Sequence, residues 1–371
     1  MIRIIQIENS RLWIWFGLLA GVGLMNKHST VFFGAAVVLG LLLTKHRREF
    51  LKPWIWIGGA VALLVFMPNL FWQVQNHFPT LEDLRNVANS GKNIVLSPKD
   101  FILQQILIMN PILLPVWLAG LWYFLLGRGS RYRVLGWTYL ALLVIFIVLH
   151  GKNYYLAPSY PMLLAGGGVA FERWLSSGTL IGRRMWPRVA AVTIMAIGGI
   201  ILAPLALPLL PPEKYVAYQR WLGLEPPKTE VRHQGPLPQL FGDQFGWPEL
   251  VAEVAHVYNS LPPEERAKAA ILTGNYGEAG AINLFGPRYG LPTAISGHQT
   301  HFLWGPRDYT GEVIITLQYD REDLEPHCAS VQDAGAHYHP WGMVEENAEI
   351  YICRGLDRPL QAIWPKVKHW N

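Results

Sequence analysis

The chain has 371 residues, 51% of them hydrophobic and 15% charged, with a formal net charge of +5. Its cations are scattered among apolar segments instead of forming one patch, which argues against nucleic-acid binding as the origin of that charge. The first 210 residues are almost continuously apolar, whereas everything after Pro211 reads as a soluble domain. The class is therefore a membrane protein with one large extramembrane module; buried helices of a large soluble protein would alternate with amphipathic ones.

In chain order, Met1 to Ser10 is a mixed polar stretch without a signal-peptide pattern, so the first span itself serves as the targeting signal. Seven segments follow that are apolar enough to enter a bilayer: Leu12 to Asn26, Thr30 to Leu43, Pro53 to Trp72, Pro111 to Leu126, Val134 to Leu149, Leu156 to Phe171 and Val189 to Leu209. The first two fall short of the roughly 20 residues of an untilted span, and read either as a helical pair turning at Asn26-Lys27-His28 or as tilted half-spans. Three loops carry the cations: Lys45, Arg47, Arg48 and Lys52; then Arg128, Arg131 and Arg133; then Arg173, Arg183, Arg184 and Arg188. Excess positive charge marks cytoplasmic loops, and parity then places residues 211–371 outside the cytoplasm. The expected division is a transmembrane domain over 1–210, a Pro-rich linker over 211–238 and an extracytoplasmic α/β domain over 239–371.

Within that last domain, a helix is expected from Pro248 to Ser260, strands at Ala269 to Thr273, Thr293 to Ser296, Val313 to Gln318 and Glu349 to Cys353, and a short helix from Glu278 to Phe285. Cys328 and Cys353 are the chain's two cysteines, and in an oxidising compartment they read most simply as a disulfide.

Candidate functional residues are the polar groups that membrane depth makes expensive. Lys27 sits at an outer turn, where a lysine either binds a lipid phosphate or merely snorkels at a helix end. Lys152, Tyr154 and Tyr155 fill another outer turn, where two tyrosines also suit an aromatic belt. Gln73, Asn76 and His77 are expected on successive turns at the end of the third span, followed by Glu82 and Asp83, a group able to hydrogen-bond a sugar or a phosphate, although ordinary helix capping in a membrane-surface loop explains the acids equally well. In the outer domain, Asn275 and Glu278 follow a strand and open a helix, a position that suits either ligand binding or simple helix capping, and Gly277 permits close backbone approach. His298, His301 and Trp304 follow a strand end and suit stacking on a sugar ring. No cofactor is called for; these histidines with His337 and His339 leave a divalent metal open, although their spacing fits no ligand pattern.

Several strings together resemble a known family: Gly23-Leu24-Met25-Asn26-Lys27-His28-Ser29-Thr30, the segment Phe71 to Thr80, Gln104-Gln105 through Asn110-Pro111, and Gly151-Lys152-Asn153-Tyr154-Tyr155-Leu156-Ala157-Pro158 to Pro161. They are similar to the protein-mannosyltransferase-like branch of the GT-C glycosyltransferases. Asn275 to Ala281, Gly286 to Gly290, Ser296-Gly297-His298 and Trp304-Gly305-Pro306 resemble bacterial members of that branch. The resemblance implies a polytopic inner-membrane enzyme of GT-C type that transfers a sugar from a polyprenyl-phosphate donor to a lipid or protein acceptor on the extracytoplasmic side. It implies Lys27 and Lys152, with Tyr154 and Tyr155, at the donor phosphate. It also places the catalytic acid of such enzymes in a first outer loop, ahead of the segment matching Leu12 onward. The only acid before Leu12 is Glu8, on the cytoplasmic side. The chain is therefore expected to lack the family's N-terminal helices and its catalytic loop, and the competing reading is a non-catalytic membrane scaffold or glycolipid-binding protein of the same fold. A transporter is a weaker third, since nearly all ionisable residues lie at span ends.

Overall fold

The computed structural model describes residues 1–91, 93–177, 185–225 and 235–370. Arg183 and Arg184 of the third basic loop, and residues 226–234 of the expected linker, lie outside them. The chain divides into two compact units: Met1–Asn76 with Val95–Leu207, and His77–Ile94 with Pro208–Asn371.

The first unit is helical. After α1 (Ile2–Ile7) come α2 (Trp13–Asn26), α3 (Thr30–Leu42) and α4 (Pro53–Gln75); α5 (Pro79–Ser90) belongs to the second unit, and the first resumes with α6 (Pro98–Ile108), α7 (Leu114–Leu125), α8 (Arg133–Val148), α9 (Tyr160–Ser177) and α10 (Trp186–Ala206). Each expected apolar segment carries a helix, but they differ in reach. At 14 and 13 residues, α2 and α3 rise only about 20 Å against a hydrocarbon core of about 30 Å. Among the described residues, three helical stretches are long and apolar enough to cross a membrane: Pro53–Gln75, Ser130–Val148 and Trp186–Ala206. Two bent pairs, Thr30–Leu42 with Lys45–Leu51 at 109° and Pro98–Ile108 with Pro111–Leu125 at 97°, raise the number to five if each is one broken span. The expectation of seven spans thus becomes three to five by length, because several apolar segments are short helices that turn back at polar breaks.

The core of this unit is α8, which packs against α3 and α7 and buries Val134, Leu135, Tyr139, Leu142 and Phe146. Helices α7 and α9 approach closely because glycine faces backbone. A Cβ on Gly120 would lie 1.8 Å from the Leu163 carbonyl oxygen, and one on Gly167 1.9 Å from that of Val116. Small residues at such crossings are what let apolar helices associate where lipid competes equally for their side chains.

The second unit continues through α11 (Pro212–Trp221), which lies inside the expected linker and buries Tyr215 and Gln219, and then α12 (Gln239–Gly242), α13 (Trp247–Ser260) and α14 (Pro263–Arg266). Strand β1 (Ala269–Thr273), helix α15 (Tyr276–Phe285) and strands β2 (Ile295–Ser296) and β3 (Val313–Leu317) follow, then α16 (Arg321–Leu324), β4 (Cys328–Ala336), β5 (Glu349–Leu356) and α17 (Leu360–Val367). The sheet order is β2-β1-β3-β5-β4, with β2, β1 and β3 parallel and β5 antiparallel to both of its neighbours. Every residue of β1 and β3 is buried, because helices cover both faces. Leu250 and Val254 of α13 and Ala279 and Ile282 of α15 pack with Ile271, Ile315 and Leu317 on one side; Leu360 and Trp364 of α17 pack with Ala270, Leu272 and Ile314 on the other. Two-sided burial is why these strands read as continuous apolar runs without alternation. Strand β4 went unforeseen: Cys-Ala-Ser-Val-Gln-Asp-Ala-Gly-Ala is mostly exposed at the sheet edge and carries no apolar alternation and one strong strand former, Val331. A disulfide between Cys328 and Cys353 ties it to β5.

Two consequences are testable. Gly120→Val forces α7 and α9 apart and is expected to destabilise the first unit by about 3 kcal/mol, seen as loss of monodisperse protein in size-exclusion chromatography. Reduction of the Cys328–Cys353 bridge, which closes a 25-residue separation, is expected to remove about 3 kcal/mol, read as a lower melting temperature of the full chain with reductant.

Candidate functional sites

In the first unit, helix α2 ends where Lys27 adopts an extended backbone, and the side chain of Thr30 donates to the Gly23 carbonyl at 3.0 Å, closing the turn into α3. This leaves Lys27 exposed, with its ammonium 4.9 Å from the ring centre of Tyr155 and 5.6 Å from that of Tyr154. The two tyrosines, distant from Lys27 in sequence, lie in a 3₁₀ turn, Asn153–Ser159, headed by the half-buried Lys152. That turn is anchored from α6: Gln104 accepts from the Asn153 side-chain amide, Gln105 Nε2 donates to the Asn153 carbonyl at 2.8 Å, and Gln105 Oε1 accepts from the Tyr160 hydroxyl at 3.2 Å. Tyr160 and Tyr139 hydroxyls meet at 3.2 Å in the buried core. The network satisfies polar groups that would otherwise be unpaired among apolar helices, and it fixes Tyr154 and Tyr155 under a cation. His28 is drawn elsewhere; its Nε2 lies 3.2 Å from Asn69 Oδ1 on α4, and its ring meets Phe66 edge to face.

Gln73, Asn76 and His77 do not share one helical stretch. Helix α4 ends at Gln75; Gln73 is buried, and the Asn76 side-chain Nδ2 donates to the Trp72 carbonyl at 2.9 Å. His77 and Phe78 adopt φ of 60° and 59°, which stops the helix before Pro79 opens α5, and His77 begins the second unit. Glu82 and Asp83 lie on α5 and are engaged within that unit, Glu82 by Lys368 Nζ at 2.7 Å and Asp83 by Gln299 Nε2 at 3.3 Å.

The second unit gathers its polar residues at the carboxyl ends of its parallel strands. From β1 the chain leaves through α15 to β2 on one side, while β3 lies on the other side of β1. Adjacent strands whose connections depart in opposite directions open a crevice at their carboxyl ends, where α/β sheets place ligands. Asn275, after β1, and Gln318, after β3, face each other there, with Asn275 Nδ2 donating to Gln318 Oε1 at 3.2 Å and to Glu346 Oε2 at 3.1 Å. Asn275 and Glu278 also form a capping box at the start of α15: Asn275 Oδ1 accepts from the Glu278 amide at 3.0 Å, and Glu278 Oε2 accepts from the amides of Gly274 at 3.0 Å and Asn275 at 3.3 Å. Glu278 is fully buried, and its second oxygen, Oε1, has no hydrogen-bond partner among the described residues. Burial, and secondarily the Glu346 carboxylate, push its carboxyl up to about 8. Burial likewise raises Glu346 to about 7, against the opposing hydrogen bond from Asn275. Gly277 serves packing, for the space a Cβ would take there is bounded by Asn275 Oδ1 at 3.0 Å and Trp247 at 3.1 Å.

His298, after β2, accepts from the Tyr276 amide at 3.4 Å and stacks between Tyr276 and His369 at 4.9 Å from each; His369 Nε2 donates to the Gly274 carbonyl at 2.7 Å. His301 tilts against Trp304 at 4.4 Å, whereas His337 pairs with Glu253 at 2.8 Å and His339 accepts from the amides of Trp341 and Gly342. Among the described residues, no three His, Cys, Asp or Glu side chains converge as a metal-holding group. The structure therefore joins Asn275, Glu278 and His298 with Gln318, Glu346 and His369, which sequence reasoning missed. Gln318 carried a signal, since it follows a legible strand as Asn275 does; Glu346 and His369 carried none.

Residues 1–72 match a family model described as dolichyl-phosphate-mannose-protein mannosyltransferase. No curated protein and no solved structure matches the chain. The matched stretch holds Lys27 and His28 and ends one residue before Gln73. It supports a mannosyltransferase-like membrane glycosyltransferase in general terms, together with helices apolar enough to span a bilayer.

The raised Glu278 carboxyl gives a signed pH dependence. Its proton is held more tightly in the folded than in the unfolded chain, so the stabilisation is complete below the unfolded value of about 4.3 and is lost as pH rises toward about 8. Thermal melting should show the second unit weakening across that window, and Glu278→Gln should flatten the dependence. An identical pH profile in the variant would assign the loss to other groups.

Proposed function

We propose that this protein is a membrane glycosyltransferase that takes a sugar from a polyprenyl-phosphate donor and transfers it to a lipid or protein acceptor at the extracytoplasmic face of a bacterial inner membrane. The observation that carries the reading is that Lys27, inside the mannosyltransferase-model match, sits over the rings of Tyr154 and Tyr155 in the turn headed by Lys152. Such a turn supplies what a prenyl-phosphate headgroup needs: cations for the phosphate, phenol hydroxyls for its remaining oxygens, and apolar helices for the chain. An inverting transfer would have the acceptor hydroxyl oxygen attack the anomeric carbon as the phosphate oxygen departs, the hydroxyl proton passing to a carboxylate base and the lysines neutralising the charge that develops on the leaving group.

The second unit is proposed to receive the acceptor or the sugar. Asn275, Gln318 and Glu346 present amide and carboxyl groups suited to hydroxyls, and His298 offers an imidazole face. Gln73, Asn76 and His77 are proposed substrate contacts as well. The inward concentration of cations in loops such as Lys45 to Lys52 and Arg128 to Arg133 supports placing the second unit on the opposite, extracytoplasmic side, and the Cys328–Cys353 disulfide agrees with an oxidising compartment.

Lys27→Ala and Lys152→Ala test the reading in membranes supplied with a polyprenyl-phosphate sugar. A charge-assisted hydrogen bond to phosphate contributes about 1.5–3 kcal/mol, so each substitution is expected to weaken binding of the donor by about ten- to a hundredfold, at unchanged expression and melting. Unaltered donor use by both well-folded variants would remove these lysines from the donor site.

A further inference from the structure

A second lipid-facing feature lies at the opposite end of α7 and α9, away from the Lys27–Lys152 turn. Both helices finish there, and a groove of about 320 Å³ runs between their last turns, walled by Trp122, Tyr123, Phe171 and Trp174 and flanked by Arg128 and Arg173. The size falls at the lower end of the roughly 300–1,000 Å³ of small-ligand sites. The turn that presents Arg128 is tightly held: the amides of Gly127 and Gly129 donate to the carbonyls of Trp122 and Tyr123 at 2.9 and 3.1 Å. Trp122 and Trp174 are 56% and 70% exposed, as apolar walls facing a bilayer would be.

The charges at this edge are not equivalent. Arg131 donates to the carbonyls of Ile5 and Gln6 and pairs with Glu8 at 3.3 Å; Arg133 donates to the Leu125 carbonyl at 2.9 Å; Arg188 grips Glu172 at 2.9 Å. The carboxylate nearest Arg173 in sequence, Glu172, is thereby occupied, and Arg173 rests over the Tyr123 ring at 5.5 Å. Arg128 and Arg173 form no ion pair among the described residues. Two uncompensated guanidiniums beside an aromatic groove at a membrane edge are complementary to one phosphate carrying an acyl chain.

We propose that this groove binds an anionic membrane phospholipid, with the headgroup phosphate between Arg128 and Arg173 and the upper acyl chain along Trp122, Phe171 and Trp174. The site contains none of the proposed donor residues and stands whether or not the protein transfers a sugar.

The full-length protein, reconstituted in equal phosphatidylglycerol and phosphatidylcholine, tests it with a photoactivatable group placed near the glycerol of either lipid. In the wild type, the phosphatidylglycerol probe is expected to label the peptides spanning Trp122–Arg128 and Ala170–Trp174 about tenfold more than the phosphatidylcholine probe. Arg128→Gln with Arg173→Gln should reduce that labelling to the phosphatidylcholine level. Equal labelling of the wild type by the two probes overturns the proposal without recourse to any variant. Undiminished labelling of a monodisperse double variant also overturns it, as does preferential labelling of these peptides by a polyprenyl-phosphate probe.

Discussion

Apolar helices satisfy their backbone groups internally except at their ends, where the polar groups left over must find other partners. The first unit depends on this constraint. Its polar side chains collect where helices stop: Lys27 beyond α2, Asn153 to Tyr155 ahead of α9, and Gln104 and Gln105 on the short α6 that abuts them. A buried hydroxyl chain, Tyr139 to Tyr160 to Gln105, ends on that turn, so core and turn are one hydrogen-bonded structure. Glycine at the α7–α9 crossing supplies the complementary half, drawing helices together through backbone contact instead of side-chain burial.

The second unit is built by different rules, those of a sheet covered by helices. Its strands are buried on both faces, and its polar residues appear where parallel strands end. Glu278 shows how capping and a candidate site coincide: one carboxylate oxygen closes the first turn of α15, while the other, in a buried place, has no partner among the described residues. Helix capping and the proposed ligand binding, alternatives when only the string Asn275-Tyr276-Gly277-Glu278 is visible, would use different atoms of the same side chains. The capping half explains why the carboxyl is fixed; burial, with the Glu346 carboxylate second, holds its proton well above the usual carboxylate range, against the two amide hydrogen bonds.

Positions of apolar helices and of β1, β3 and β5 were legible because burial writes itself into runs of apolar residues. Reach was not, because a run of about fourteen apolar residues is the same whether it crosses a bilayer or turns at its middle. The edge strand β4 escaped notice because an exposed edge places no demand on hydrophobicity. The expected helical placement of Asn76 and His77 failed on a local matter, two consecutive left-handed residues that periodicity does not encode.

By itself the sequence determined the division between an apolar, helical part and a more polar part, the loops in which cations gather, and the residues near helix ends, since all three follow from transfer of groups between water and an apolar phase. Only the tertiary structure decided which of those ends meet. Lys27 over Tyr154 and Tyr155, Asn275 against Gln318 and Glu346, and Arg128 beside Arg173 are each joined by helix packing or strand order. Such pairings depend on geometry between distant segments, and residue spacing along the chain carries no record of it.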